Sequence, residues 1–218
     1  MIRIEQLDFE YPAGGFRLRV GELAVQSGAR AAVIGASGCG KTTLLHLLAG
    51  ILTPAAGTIR IDGREITGLP DAERRDFRIG TVGLVFQEFE LLEYLDVLDN
   101  VLLPFRINRS LHLDAPARER ARELAESVGL GDKLSQPVPR LSQGERQRVG
   151  ICRALVAAPS LILADEPTGN LDPDNKERAL DILERFAADR GATLVVATHD
   201  HALLPRFDQV IDFAELLA

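Results

Sequence analysis

The chain has 218 residues, which suits one domain with room for an inserted subdomain. Its 46% hydrophobic and 26% charged residues are ordinary for a globular protein, and no tract is of low complexity. A net charge of −7 argues against a non-specific nucleic-acid binder, which needs a basic face to neutralise phosphates, so no nucleic-acid partner is expected.

The opening Met1-Ile2-Arg3-Ile4-Glu5 carries charges where a secretory leader needs an apolar core. Residues 2–7 and 16–20 alternate apolar and polar, the pattern of half-exposed strands, with Tyr11-Pro12-Ala13-Gly14-Gly15 as the turn between them. Residues 31–34 are apolar throughout, as a parallel strand buried on both faces should be. A glycine-rich loop follows, then a helix over 41–49 closed at Gly50. Residues 58–61 read as a strand turning at Asp62-Gly63, and 82–86 as a buried strand ending at Gln87. From 88 to 139 the pattern becomes helical, most clearly over 115–128, where one face is apolar and Gly129 closes the run. A helix over 142–157, a buried strand at 161–164, a helix over 173–188 and a strand at 193–197 complete the alternation. A short strand within 207–213 is the last element expected. No apolar run approaches the roughly 20 residues of a membrane span, so another chain would supply any spans a membrane process requires. Cys39 and Cys152 have neither metal spacing nor a disulfide framework; Cys39 reads as a space-filler, and both suit a reducing compartment.

Three strings carry chemistry. Gly35-Ala36-Ser37-Gly38-Cys39-Gly40-Lys41-Thr42 fits the phosphate-loop pattern between a strand and a helix. Its glycines let backbone N–H groups face phosphate oxygens, and the helix N-terminus adds positive potential. Lys41 is expected on the β- and γ-phosphates and Thr42 on Mg²⁺. In Leu161-Ile162-Leu163-Ala164-Asp165-Glu166, a parallel strand delivers two acids to the crevice where ligands sit. Asp165 is the expected metal carboxylate and Glu166 the group that orients or deprotonates a water. Ser142-Gln143-Gly144-Glu145 reads locally as a helix capping box, and a capped N-terminus with a hydroxyl and a free glycine N–H can also grip a phosphate.

The string from Leu141 to Asp172 resembles the ATP-binding subunit of ABC transporters through Leu141-Ser142-Gln143-Gly144-Glu145-Arg146-Gln147-Arg148 and Asp165-Glu166-Pro167-Thr168-Gly169-Asn170-Leu171-Asp172. It is similar more narrowly to the lipoprotein-release, macrolide-export and cell-division branch, as are Asp71-Ala72-Glu73-Arg74-Arg75 and Val85-Phe86-Gln87. The resemblance implies an α/β phosphate-loop NTPase: a RecA-like parallel sheet core with antiparallel N-terminal strands (about 1–87 and 160–218) and an inserted α-helical subdomain (about 88–159). It also implies Tyr11 stacking on adenine, Thr43 beside the nucleotide, Gln87 sensing Mg²⁺ and water, and His199 as a switch near the γ-phosphate. Asn170-Leu171-Asp172 would be a loop where subunits communicate, and Ser142 and Gly144 would complete the ATP site of a second copy. His46, His112 and His201 fit no motif.

The function implied by the resemblance is that of an Mg²⁺-dependent ATPase, closing as a head-to-tail homodimer to drive an integral membrane permease subunit from the cytoplasmic face of the cell membrane. Export or lipoprotein release is favoured; mechanical regulation of a membrane complex and a soluble ABC ATPase are the alternatives. The apolar group Phe89, Leu91, Leu92, Tyr94 and Leu95 is the expected receiving surface for the partner. Two features depart from the family: Gln143 stands where glycine is usual, and little chain follows Phe213, which disfavours a C-terminal regulatory role.

Overall fold

Continuously apolar strands bury both faces, and here each face feeds a different core. The strands are β1 (Ile2–Glu10), β2 (Arg17–Val25), β3 (Arg30–Ile34), β4 (Ala56–Ile61), β5 (Arg64–Glu65), β6 (Val82–Val85), β7 (Leu161–Asp165), β8 (Thr193–Thr198) and β9 (Gln209–Asp212). The helices are α1 (Lys41–Leu48), α2 (Asp71–Thr81), α3 (Val97–Val101), α4 (Leu103–Ile107), α5 (Ala115–Ser127), α6 (Gln143–Leu155), α7 (Pro173–Arg190) and α8 (Phe213–Leu216). This computed structural model describes residues 1–12, 14–169 and 171–216. Ala13 of the expected turn and Asn170 of the expected communication loop lie outside the described residues.

Five parallel strands in the order β6-β7-β8-β3-β9 form the central sheet. Leu161 and Leu163, Val195 and Ala197, and Ala31 and Val33 point to one side, where α1 contributes Leu44, Leu45, Leu47 and Leu48. Ile162 and Ala164, Leu194 and Val196, and Ala32 point to the other, under Leu180 and Leu183 of α7. The period of two along β3, β7 and β8 therefore assigns their buried apolar residues to one core or the other.

The second sheet, β2-β1-β4-β5, is antiparallel and closes over the outer side of α1. Its buried positions on β1 run Ile2, Ile4, Leu7, Phe9, a slip of one residue in the alternation. Gln6 absorbs the slip at φ 50, in a bulge against β4. Gly57 faces it, where an added Cβ would lie 2.2 Å from the Gln6 carbonyl oxygen. The parallel core with antiparallel N-terminal strands is thus the expected fold; β1 and β2 run three to five residues beyond their alternating segments because the pattern changes phase instead of stopping.

A third core joins Val97, Val101 and Leu102 to Ala117, Ala121 and Ala125 of α5 and to Val149 and Cys152 of α6. Residues 88–96 form no helix. Asn100, fully buried, holds them instead: its side chain accepts from the Leu92 N–H at 2.9 Å and donates to the Leu92 and Asp96 carbonyls at 3.0 and 2.9 Å.

Candidate active site

The carboxyl ends of β3, β7 and β8 open side by side, and each delivers part of one cleft. After β3 the loop climbs through Gly38 (φ 78) and Gly40 (φ 115) into α1. Both are left-handed values that favour glycine. Gly40 is needed twice over, since the Phe16 ring covers it and a Cβ would meet Phe16 Cζ at 2.4 Å. Beneath the loop sits Phe213, fully buried, and Cys39 turns its sulfur inward toward Gly35, the space-filling place expected of it.

Lys41 is 7% exposed and donates to the carbonyls of Gly35 at 2.8 Å and Ala36 at 3.2 Å. The ammonium is thereby held at the loop, 3.9 Å from Glu166 Oε1. Thr42 Oγ1 donates to Asp165 Oδ2 at 2.6 Å. Burial pushes the Asp165 carboxyl above its ordinary value, against the Thr42 hydrogen bond, and the neighbouring Glu166 charge adds to the push. His46, beneath on α1, is pushed down by burial while the Asp165 charge opposes the shift.

Glu166 follows the strand end at φ 45, a left-handed backbone for a non-glycine residue. Its N–H donates to the Ala197 carbonyl and its own carbonyl accepts from Gly169 N–H, both at 2.9 Å, so the turn is fixed from both sides. The carboxylate is nearly buried, 2.9 Å from Nδ1 of the exposed His199. Gln87 lies on the rim near Gly169. Tyr11 packs edge-on against Phe9 at 4.9 Å between centroids, and its hydroxyl is 3.1 Å from Thr43 Oγ1.

The cleft of about 610 Å³ brings together Tyr11, Ser37, Gly38, Gly40, Lys41, Thr42, Thr43, Gln87, Asp165, Glu166 and His199. Phe16 lines it too, a residue the alternating pattern gave only a strand role. Gly35, Ala36 and Cys39 shape the loop without lining the cleft. Ser142, Gly144 and Asp172 lie outside it, together in a second place. Ser142 caps α6 with the reciprocal bonds of a capping box: its Oγ accepts from Glu145 N–H at 3.4 Å, and its N–H donates to Glu145 Oε2 at 2.8 Å. Asp172 caps α7 and accepts from both N–H and side chain of Asn175, at 3.1 and 2.6 Å, which holds its carboxyl below the usual range. Asn175 in turn fills the space at Gly144, where a Cβ would meet its amide at 2.6 Å, and accepts from Arg148. Asn175 therefore ties the two helix starts together, a contact no local string could reveal.

A groove lies beside the segment of the expected receiving surface. Its volume is about 340 Å³, and it runs between α2, β6 and α4, with Arg75, Arg78, Leu84, Phe86, Pro104 and Ile107 among its walls. None of Phe89, Leu91, Leu92, Tyr94 and Leu95 lines it. Leu91 packs partly buried against the third core and Asn100 fixes the Leu92 backbone, while Tyr94 stays exposed. Glu90 does line the groove, and its carbonyl, with that of Phe89, receives the buried Arg153 guanidinium.

A family described as ABC transporter matches residues 18–169. Over 218 residues the chain is 42% identical to the lipoprotein-releasing system ATP-binding protein LolD of Syntrophotalea carbinolica, covering 99% of this chain and 95% of that protein. It is 43% identical to the macrolide export ATP-binding/permease protein MacB 1/2 of Paracoccus denitrificans, of which it covers 32%. Among solved structures it is similar to a dimeric post-hydrolysis state of the ATP-binding cassette MJ0796 bound to ADP and Pi, with a TM-score of 0.87 at 30% identity, covering 97% of this chain and 94% of that one.

Proposed function

The chain belongs to the ABC transporter family of ATP-binding proteins, and from that membership we propose that this ATPase drives a separate membrane-spanning partner of the lipoprotein-release or export type. The observation that carries the reading is the meeting of Lys41, Thr42, Asp165, Glu166 and His199 in one cleft while Ser142 and Gly144 lie elsewhere, the first exposed and the second buried under Asn175. In this reading two copies pack head to tail, and the α6 N-terminus of one closes on the γ-phosphate held by the other.

Each residue then has a task. The loop amides and the start of α1 bind the phosphate chain, and Lys41 leaves its loop carbonyls for the β- and γ-oxygens. Glu166 orients a water in line with the γ-phosphorus and takes its proton, while His199 holds the carboxylate. Tyr11 and Phe16 offer the adenine a π-face. The ring of Tyr11 would turn from Thr43 to provide it. Thr42 and Asp165 fit Mg²⁺: both are hard oxygen donors, and a raised, half-buried carboxyl is one a cation would relieve. When bound, the ion would neutralise phosphate charge. Gln87, on the rim near Gly169, would sense the water and the ion.

No described helix is long and apolar enough to cross a membrane, so the proposed seat is peripheral, on the cytoplasmic face of the cell membrane, with the helical region about 88–159 as the arm that meets the permease. The α2–β6–α4 groove is the proposed place of that contact. The test uses Glu166→Gln, which should bind ATP, lose about two or more orders of magnitude in turnover and accumulate as a dimer. Captured from detergent-solubilised membranes with ATP, it should bring down an integral membrane protein. Unchanged turnover would remove Glu166 as the base, and recovery of no membrane protein would favour a soluble ATPase instead.

A further inference from the structure

Glu145 poses an electrostatic problem. The first N–H groups of a helix have no intrahelical acceptor, and at α6 an approaching phosphate would meet the exposed Gln143 first, with the buried Gly144 behind it. Yet the same turn carries a carboxylate, bonded through Oε2 to the Ser142 N–H. A phosphate arriving at this helix start would meet that negative charge. The carboxylate is 16% exposed, so solvent screens it poorly.

We propose that Lys133 is the positioning residue that makes this acidic helix start acceptable to a phosphate. Its ammonium donates to Glu145 Oε1, the oxygen not used in the capping box. Lys133 ends a short 3₁₀ turn, Gly131–Lys133, that follows α5. This turn is anchored by Lys133 N–H donating to the Leu130 carbonyl at 3.0 Å, and Leu130 is fully buried in the third core. The cation is therefore placed by the subdomain fold and not by a flexible tail. Its pull, together with the Ser142 N–H, holds the Glu145 carboxyl down at about 2, so the carboxylate is charged at working pH and lies against the ammonium. Lys133 and Glu145 are both absent from the nucleotide cleft of their own chain. Their influence would be felt only by the phosphate held in a second copy, so the inference rests on the proposed head-to-tail pairing.

The experiment is an ATP-driven dimerisation titration in the Glu166→Gln background, read by size-exclusion light scattering, with binding of a fluorescent ATP analogue to dilute monomer as the control. Lys133→Met should raise the ATP concentration for half-dimerisation about tenfold, the order expected for an uncovered like charge near a phosphate, while analogue binding to the monomer stays within twofold of the parent. Lys133→Arg keeps the cation and should dimerise like the parent. Adding Glu145→Gln to Lys133→Met should bring the midpoint back to within about twofold, because glutamine serves a capping box as glutamate does but carries no charge. A mere tether would not be rescued this way, since the double variant has lost the tether as well. Dimerisation of Lys133→Met at the parental midpoint, or failure of Glu145→Gln to restore it, overturns the role of Lys133. A parent that stays monomeric at saturating ATP overturns the head-to-tail reading itself and this inference with it.

Discussion

The cleft and the start of α6 are built on opposite plans. In the cleft, charge is concentrated and held under tension: Lys41 is buried, Glu166 takes a left-handed backbone, and Asp165 resists ionisation. At α6 the charged and capping groups are paired, in the Ser142–Glu145 capping box, the Lys133 ion pair and the Asp172–Asn175–Arg148 chain, although the buried Arg148 Nε is left without a partner. Left-handed non-glycine backbone also occurs outside the cleft, at Gln6 and Ala158 among others, so at Glu166 it counts only together with the buried charges beside it. The other surface is held by paired groups, which suits the half of a site that a second subunit would complete in the proposed head-to-tail pair.

The largest effects should come from breaking that division of labour. Lys41→Ala removes the only ammonium lining the cleft among its described residues, and ATPase activity should fall by at least about a hundredfold. Ser142→Glu places a charge at the other half and should also suppress turnover, while leaving ATP binding to the monomer intact. A mixture of the two inactive variants makes the comparison quantitative. In a head-to-tail pair one composite site combines both lesions and the other combines the intact loop with the intact helix start. An equal mixture should then recover up to roughly a quarter of wild-type sites. No recovery, with mixed dimers demonstrated, would place both elements in the same chain's site.

How much of this could be read along the chain depends on how far each contact reaches. Residues 35–42 and 161–166 were legible because their chemistry sits in one string at the end of a buried strand, where an α/β sheet places ligands. The capping box was equally local. Phe16 was not, because it covers Gly40 only after β1 and β2 have folded over α1. Asn175 and Lys133 act on residues 31 and 12 positions away, Gly144 and Glu145, and neither separation is a helical or strand period. Helix α2 left little signal for a different reason: Phe77 is its one buried residue, so no apolar stripe marks it. The groove between α2, β6 and α4 was not legible, because its walls come from separate segments that meet only in the fold.

Asp165 tests the tension in the cleft more gently. Its carboxyl is raised by burial, so ionising it near neutral pH costs folding free energy, a cost relieved as pH falls through the raised value. Asp165→Asn keeps an acceptor for Thr42 and removes the charge. The nucleotide-free variant should melt about 2–4 °C above wild type while losing ATP hydrolysis, a gain in stability made at the expense of function. Added Mg²⁺ and ATP should raise the wild-type melt more than the variant's. A variant that melts lower than wild type would show that the cleft is not strained by this carboxylate.

The α6 side should respond to acid in the opposite sense, and weakly. Glu145 is held at about 2 against an ordinary 4.5, so the folded state binds its proton less readily than the unfolded chain. Its stabilisation is complete above about 4.5 and is lost as pH falls through about 2. Comparing wild type with Glu145→Gln cancels the other carboxylates to first order. The difference in their melting temperatures should be flat from neutral pH to about 5 and then shrink toward pH 2, and the corresponding energy should be about 1 kcal/mol, since the Lys133 end of the pair is open to solvent. A difference that grows on acidification would mean the Lys133–Glu145 pair forms no better in the folded chain than in the unfolded one, and the paired character of this surface would have to come from the Asp172–Asn175 side alone.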